Sequence, residues 1–186
     1  MFRTAIMIGL LFGLQGISIA ELITFDIGMT NLVETDLSTD YIEVRDNATL
    51  GATTVIVRNG ATVGTSEDGG DNSVKVFGTS FVEMRGGVLL DDALATETSR
   101  IQLRGGTVGD DLLAIDSALI EVFGGTVADE TQSNNTSTIH IFDGDFDDDI
   151  EAYDNSLIRI HGGTAGEDIE AFDSSHIHIF GGSIGL

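Results

Sequence analysis

The chain has no cysteine and little positive charge: 8 Lys and Arg stand against 31 Asp and Glu, for a formal net charge of −23. Without thiols, disulfide, thiolate–zinc and cysteine-nucleophile chemistry are excluded, and stability has to come from burial and backbone pairing. The shortage of Lys and Arg argues against nucleic acid and anionic lipid as partners, because binding to phosphates runs on counterion release by basic side chains. Cations and neutral surfaces remain. Apolar runs are also scarce. The one present, Ala5 to Leu14, follows Met1-Phe2-Arg3 and precedes Ser18-Ile19-Ala20, the layout of a secretory leader with a small-residue cleavage site. It is shorter than the ~20 residues of a membrane-spanning helix. Residues 1–20 are therefore expected to be removed, leaving a secreted chain that starts at Glu21 and does not insert into a membrane.

What the sequence does contain is repetition. From Gly78 it can be written as GTSFVEMRGGVLLDDALAT, ETSRIQLRGGTVGDDLLAI, DSALIEVFGGTVADETQSN, NTSTIHIFDGDFDDDIEAY, DNSLIRIHGGTAGEDIEAF and the partial DSSHIHIFGGSIGL, a period of 19 with no insertion or deletion. A fixed period near 20 is the signature of a solenoid in which each unit is one coil stacked on its neighbour. Within a unit the apolar residues alternate, which is the spacing of strands. Val82, Ile101, Ile120, Ile139, Ile158 and Ile177 share one position, and Met84, Leu103, Val122, Ile141, Ile160 and Ile179 the position two later. Both point inward, while Glu83, Gln102, Glu121, His140, Arg159 and His178 between them face outward. Leu89, Val108, Val127, Phe146, Ala165 and Ile184 form a second inward column, and Ala93, Leu112, Thr131, Ile150 and Ile169 a third. The predicted fold is all-β: a single-stranded, right-handed parallel β-helix of 19-residue coils with three short faces each. Glycine pairs such as Gly105-Gly106 and Gly124-Gly125, and a pair of acidic residues, mark the corners.

Upstream, Val55 and Val57, then Val74 and Val76, lie 38 and 19 residues before Ala93 and Ala95. This spacing reads residues 40–77 as two divergent coils of the third face, with Asn59 to Asn72 a looser excursion. Residues 21–39 are expected to form an N-terminal cap that covers open strand edges, and 78–186 the regular coils. Because the chain stops partway through a coil, the expectation is either that its last rung is left uncapped, a candidate for end-to-end self-association, or that the sequence is a fragment of a longer protein.

Units of the type DNSLIRIHGGTAGEDIEAF resemble the repeats of secreted bacterial proteins with pectin-lyase-like β-helices, of the kind often followed by a PEP-CTERM sorting tail. The resemblance covers roughly residues 22–186. It implies a protein of the bacterial cell surface or exterior, and it carries no catalytic motif. With no proline in the chain, the Pro-Glu-Pro sorting motif is missing.

The most ordered polar feature is an acidic corner, Asp91-Asp92, Asp110-Asp111, Asp129-Glu130, Asp148-Asp149 and Glu167-Asp168, one pair per coil. Carboxylates stacked ~4.8 Å apart repel by roughly 1 kcal/mol per pair even in water. Either Ca²⁺, which accepts irregular oxygen cages, relieves this, or the Asp side chains serve as turn formers that accept hydrogen bonds from backbone amides. One coil is unusual: Asp143, Asp145 and Asp147 alternate ahead of Asp148 and Asp149, which makes this run the best single calcium candidate. It is not an EF-hand, since Asp148 and Asp154 stand where that loop needs Gly and Glu. His140 and His178 sit two rungs apart with Arg159 between them, too far to converge on one metal. Phe123, Phe142 and Phe180 line one edge and Tyr153 and Phe172 another, a pattern that stabilises coil stacking more readily than it binds sugar. A catalytic site should interrupt the repeat, and only the Asn59–Asn72 and Asp143–Asp149 stretches do so, neither with a nearby Arg or Lys in an obvious basic role except Lys75 and Arg159. The expectation is a non-catalytic structural or matrix protein, possessing an acidic surface suited to calcium and extracellular polysaccharide or matrix as partners. A carbohydrate-binding adhesin and a small polysaccharide lyase or hydrolase are the alternatives.

Overall fold

A computed structural model describes residues 21–65 and 72–185. The expected leader over 1–20 and the final Leu186 lie outside the described residues. No helix occurs among the described residues, and the chain is a parallel β-solenoid. Its first three turns carry β1 (Glu21–Phe25), β2 (Thr30–Val33), β3 (Asp36–Leu37); β4 (Asp40–Val44), β5 (Thr54–Val57), β6 (Thr62–Val63); and β7 (Asn72–Val76), β8 (Phe81–Met84), β9 (Val88–Leu89). The next three carry β10 (Asp92–Ala95), β11 (Arg100–Leu103), β12 (Thr107–Val108); β13 (Leu112–Ala114), β14 (Leu119–Val127); and β15 (Thr131–Ser133), β16 (Thr138–Phe146). The last two carry β17 (Ile150–Ala152), β18 (Leu157–Ile160), β19 (Thr164–Ala165); and β20 (Ile169–Ala171), β21 (His176–Ile179), β22 (Ser183–Ile184).

One strand from each turn joins an 8-stranded parallel sheet in the order β1-β4-β7-β10-β13-β15-β17-β20. The other two faces merge into a second sheet because β14 and β16 run unbroken through the glycine corner. Register follows the repeat: Ile101 lies beside Ile120, Ile139 beside Ile158, and Thr107 beside Thr126. Alternation then places every second side chain in the lumen, where Ile120, Ile139, Ile141 and Ile158 are fully buried. Each such burial contributes about 1.5–3 kcal/mol. In the last turn Ile179 and Ile184 are half exposed, since no described turn covers them.

Two corner positions require unusual backbone. The second glycine of each pair has positive φ, 99° at Gly106 and 94° at Gly163, and a Cβ there would approach a carbonyl oxygen of the preceding turn to 2.6 Å. No L-residue fits. The first glycine varies: a Cβ on Gly124 would find its nearest neighbour at 3.7 Å, whereas one on Gly162 would meet the Phe142 carbonyl oxygen at 2.6 Å; Asp143 stands in that column in the turn between them. Opposite, each regular turn places a non-glycine residue in the left-handed region: Glu97, Asp116, Asn135, Asp154 and Asp173, with φ between 57° and 62°. Asn and Asp enter this region most easily among residues with a Cβ.

The upstream turns differ from the sequence expectation. Residues 40–77 are not two coils. Ile42 pairs with Val74, so a single turn runs 32 residues from one rung to the next. Val55 and Val57 pair with Val82 and Met84, on the face opposite to the one their spacing suggested. The additional residues enter between Val44 and Thr54 and after Val63, while Thr62–Val63, inside the supposed excursion, is an ordinary strand paired to β9. Residues 21–39 are themselves a turn, with β1, β2 and β3 in register on β4, β5 and β6, where the sequence suggested a separate cap.

Candidate functional site: the acidic corner and the outer ladders

The acidic corner lies between the second face and the first strand of the next turn. The parallel register brings together three groups whose carboxylate oxygens fall within 4.8 Å of one another: Asp91, Asp92 and Asp110; Asp110, Asp111 and Asp129; and Asp148, Asp149 and Glu167. Asp168 lies outside these groups, exposed. Asp143, Asp145 and Asp147, the strongest sequence candidates, are also not gathered. All three point outward from β16 or just beyond it and are exposed, and Asp143 accepts only from the amide of Gly144. Alternate positions along a strand share a face but diverge by ~6–7 Å, so a spacing that suggests a cage produces a row.

Within the corner, the second acid of the pair reaches forward one turn. Asp92 Oδ1 accepts from the Asp111 amide at 3.1 Å, Asp111 Oδ1 from the Glu130 amide at 3.0 Å, and Asp149 Oδ1 from the Asp168 amide at 2.9 Å. Glu130, one methylene longer, breaks the series: its carboxylate takes the Gln132 side-chain amide, and the Asp149 amide turns to Asp148 instead. The carboxylates of the corner thus accept from backbone amides, and do so as a ladder from turn to turn. Its electrostatics are costly nonetheless. Burial, with the like charges of Asp111, Asp91 and Asp110, pushes Asp92 up to about 7 against the relief of its backbone hydrogen bond. Burial and Asp110 push Asp111 up to about 6.

A second ladder, on the left-handed corner, has no counterpart in the sequence reading. Here the side chain reaches back one turn: Glu97 accepts from the Gly78 amide, Asp116 from the Glu97 amide, Asn135 from the Asp116 amide and Asp154 from the Asn135 amide, at 2.7–3.2 Å. Its signal was the first letter of each unit, Gly78, Glu97, Asp116, Asn135, Asp154 and Asp173, a column of residues suited to positive φ. Two positions later, buried serines tie the corner to the carbonyl of an earlier turn, as Ser156 Oγ does with Ser133 at 2.7 Å.

The outer side of the first face is occupied by its own side chains. Arg85 and Arg104 clasp Glu83, whose carboxyl the Arg85 hydrogen bond holds below its ordinary value despite burial. Gln102 and Arg100 both bind Glu121. Arg159 donates to His140 Nε2 at 2.9 Å, and burial together with that guanidinium lowers the imidazole's proton affinity. The aromatic edge is longer than the phenylalanines alone suggest, because His161 completes it: Phe123, Phe142, His161 and Phe180 stack with centroids 4.7–5.2 Å apart and planes within 9°. Tyr153 and Phe172 stack likewise at 4.8 Å. Within the stack the internal rings Phe142 and His161 have both faces covered, while Phe180 at its end is 65% exposed.

Compared with protein-family models, curated proteins and solved structures, the chain finds no match.

Proposed function

We propose that the protein is a non-catalytic structural element of the bacterial cell exterior, secreted as an acidic rod that spaces or dresses matrix or polysaccharide. The observation that carries this reading is that many outward polar groups of the regular turns are engaged by the neighbouring turn: carboxylates on amides, guanidinium on carboxylate, ring on ring. A surface satisfied by its own repetition is suited to rigidity. The resemblance of its units to those of secreted pectin-lyase-like β-helix proteins, and the leader-like first twenty residues, support the location.

Two observations weigh against the alternatives. Sugar recognition by aromatics uses an exposed ring face, and the internal rings of the ladder have theirs covered by one another. Polysaccharide cleavage needs a groove in which acid and base converge, whereas two cavities found among the described residues lie in the lumen, walled mainly by aliphatic side chains such as Val82, Leu103, Ile141 and Ile160. The test is to follow the protein in fractionated bacterial cells and to incubate it with soluble and insoluble polysaccharides. The expected result is recovery in the medium or surface fraction with no new reducing or unsaturated ends. Release of such ends would replace this reading with the lyase or hydrolase, and retention in the cytoplasm would end it.

A further inference from the structure

We propose that the upstream end of the acidic corner is a site for one hard divalent cation of calcium's size, formed by Asp91, Asp92, Asp110 and the side-chain oxygen of Asn72. This goes beyond the structural reading and does not depend on it. Three features distinguish this group from the two other acidic clusters. First, it is the most buried: Asp91 and Asp92 are each only 8% exposed and Asp110 is half-buried, whereas no member of the other two clusters is fully buried. Second, it has no compensating base, for none of the ion pairs among the described residues involves Asp91, Asp92 or Asp110. An ionised buried carboxylate without a partner is normally neutralised, by a proton or by a cation.

The third feature is independent of the acids. Asn72 is 6% exposed, and its Oδ1 is buried without any hydrogen-bond partner. A bulge in the β7–β10 pairing sets Asn72 directly opposite Asp92, and paired residues of adjacent parallel strands project to the same side. The orphaned oxygen therefore rises from the same face as the Asp92 carboxylate. The neighbouring Ser73 accepts from the amide of Asp91 at 2.9 Å, so that amide is met without Asn72. Another orphan, Thr131 Oγ1, belongs to the column of Leu112 and Ile150 and faces the lumen, away from the acids.

The geometry suits the ion. Oxygens bound at ~2.4 Å to one centre are separated by at most about 4.8 Å, the limit within which the three carboxylates already lie. Asp92 keeps Oδ2 available while Oδ1 holds the Asp111 amide. Three carboxylates, some bidentate, with one amide oxygen and water reach the 6–8 ligands that Ca²⁺ takes.

The experiment is calorimetric titration of calcium chloride into the chelator-stripped full chain at neutral pH. One equivalent should bind. Asn72→Ala and Asp110→Asn should each weaken binding by about tenfold or more, and Asn72→Asp, which keeps an oxygen and adds charge, should tighten it. Asp145→Asn, which removes an exposed carboxylate elsewhere, should leave it unchanged. Absence of saturable binding, or equal weakening by Asp145→Asn and Asp110→Asn, would show only general screening of an acidic surface and overturn the site. If Asn72→Ala alters the circular dichroism, Asn72→Asp decides: tighter binding upholds the site, and unchanged or weaker binding overturns it.

Discussion

The acidic corner and the left-handed corner use the same device in opposite directions. At the first, Asp92 and Asp111 reach forward to an amide of the following turn; at the second, Asp116 and Asp154 reach back to an amide of the preceding one. Residue type and bond lengths are nearly the same. What differs is water. Asp116 and Asp154 are exposed and keep their charges hydrated, whereas Asp92 is buried beside other acids and is pushed up to about 7. A carboxylate ladder is therefore inexpensive where solvent reaches it and costly where it does not, and the second case is where a cation has something to offset.

The comparison can be broken most forcefully at the left-handed corner. Asp154→Val places a β-branched residue at φ 57° and removes both hydrogen bonds to Asn135; a loss of about 2–4 kcal/mol in urea unfolding is expected. Asp154→Gly, which restores the backbone freedom and forfeits only the bonds, should recover much of that loss. The next largest effect has the other sign. In chelator at pH 7.5, Asp92→Asn keeps the acceptor for the Asp111 amide and deletes the buried charge, so the thermal midpoint should rise, by about 2–4 °C for each kcal/mol gained. The same exchange at exposed Asp116 should leave it nearly unmoved. An unchanged midpoint in the Asp92 variant would mean that its charge is not paid for by the fold.

A pH titration in chelator examines the same contrast without mutation. The folded values of Asp92 and Asp111, about 7 and about 6, lie above the ordinary 3.8, so their ionised forms oppose folding, and stability should increase as pH falls from 8 towards 5. Asp46 and Glu83 are held below their ordinary values, Asp46 against its burial by Ser80 and Thr79, Glu83 chiefly by the Arg85 hydrogen bond. Their contribution is present above the ordinary carboxylate range and is lost as pH falls through and below it, giving a maximum in the thermal midpoint below about pH 5. A monotonic decline from pH 8 would contradict the assignment of the buried pair. The smallest effect is expected from Asp145→Asn, at neither corner, within about 0.5 kcal/mol of the parent in urea unfolding.

From Gly78 onward the fold was legible because nothing is inserted: Ile101, Ile120 and Ile139 occupy one column in the sequence and one column in space. Upstream, the alternation of Val55 and Val57 identified a strand but not its face, since two valines two residues apart look alike on any side of a solenoid. A separation of 38, twice the repeat, suggested the wrong neighbour, while the extra residues of the second turn shift the true pairing to Val82 and Met84. The acidic columns were visible for the same reason as the aliphatic ones. Their burial was not, because it depends on how far the corner folds inward. Asn72 gave no signal at all: its significance arises from a bulge, and a bulge is a property of two strands rather than one.

The regular units carry between them the halves of the bonds that join neighbours: in most an acceptor aimed forward at one corner and an acceptor aimed back at the other, a bare glycine for the adjoining carbonyl, and from Phe123 onward a ring for the adjoining ring. Such a unit is a complete interface with its own copy. In-frame duplication of the encoding segment would extend the rod by one rung, ~4.8 Å, without inventing a single contact, and deletion would shorten it as cleanly. Reach is thereby a heritable quantity that can change in whole steps while the chemistry of the surface stays constant.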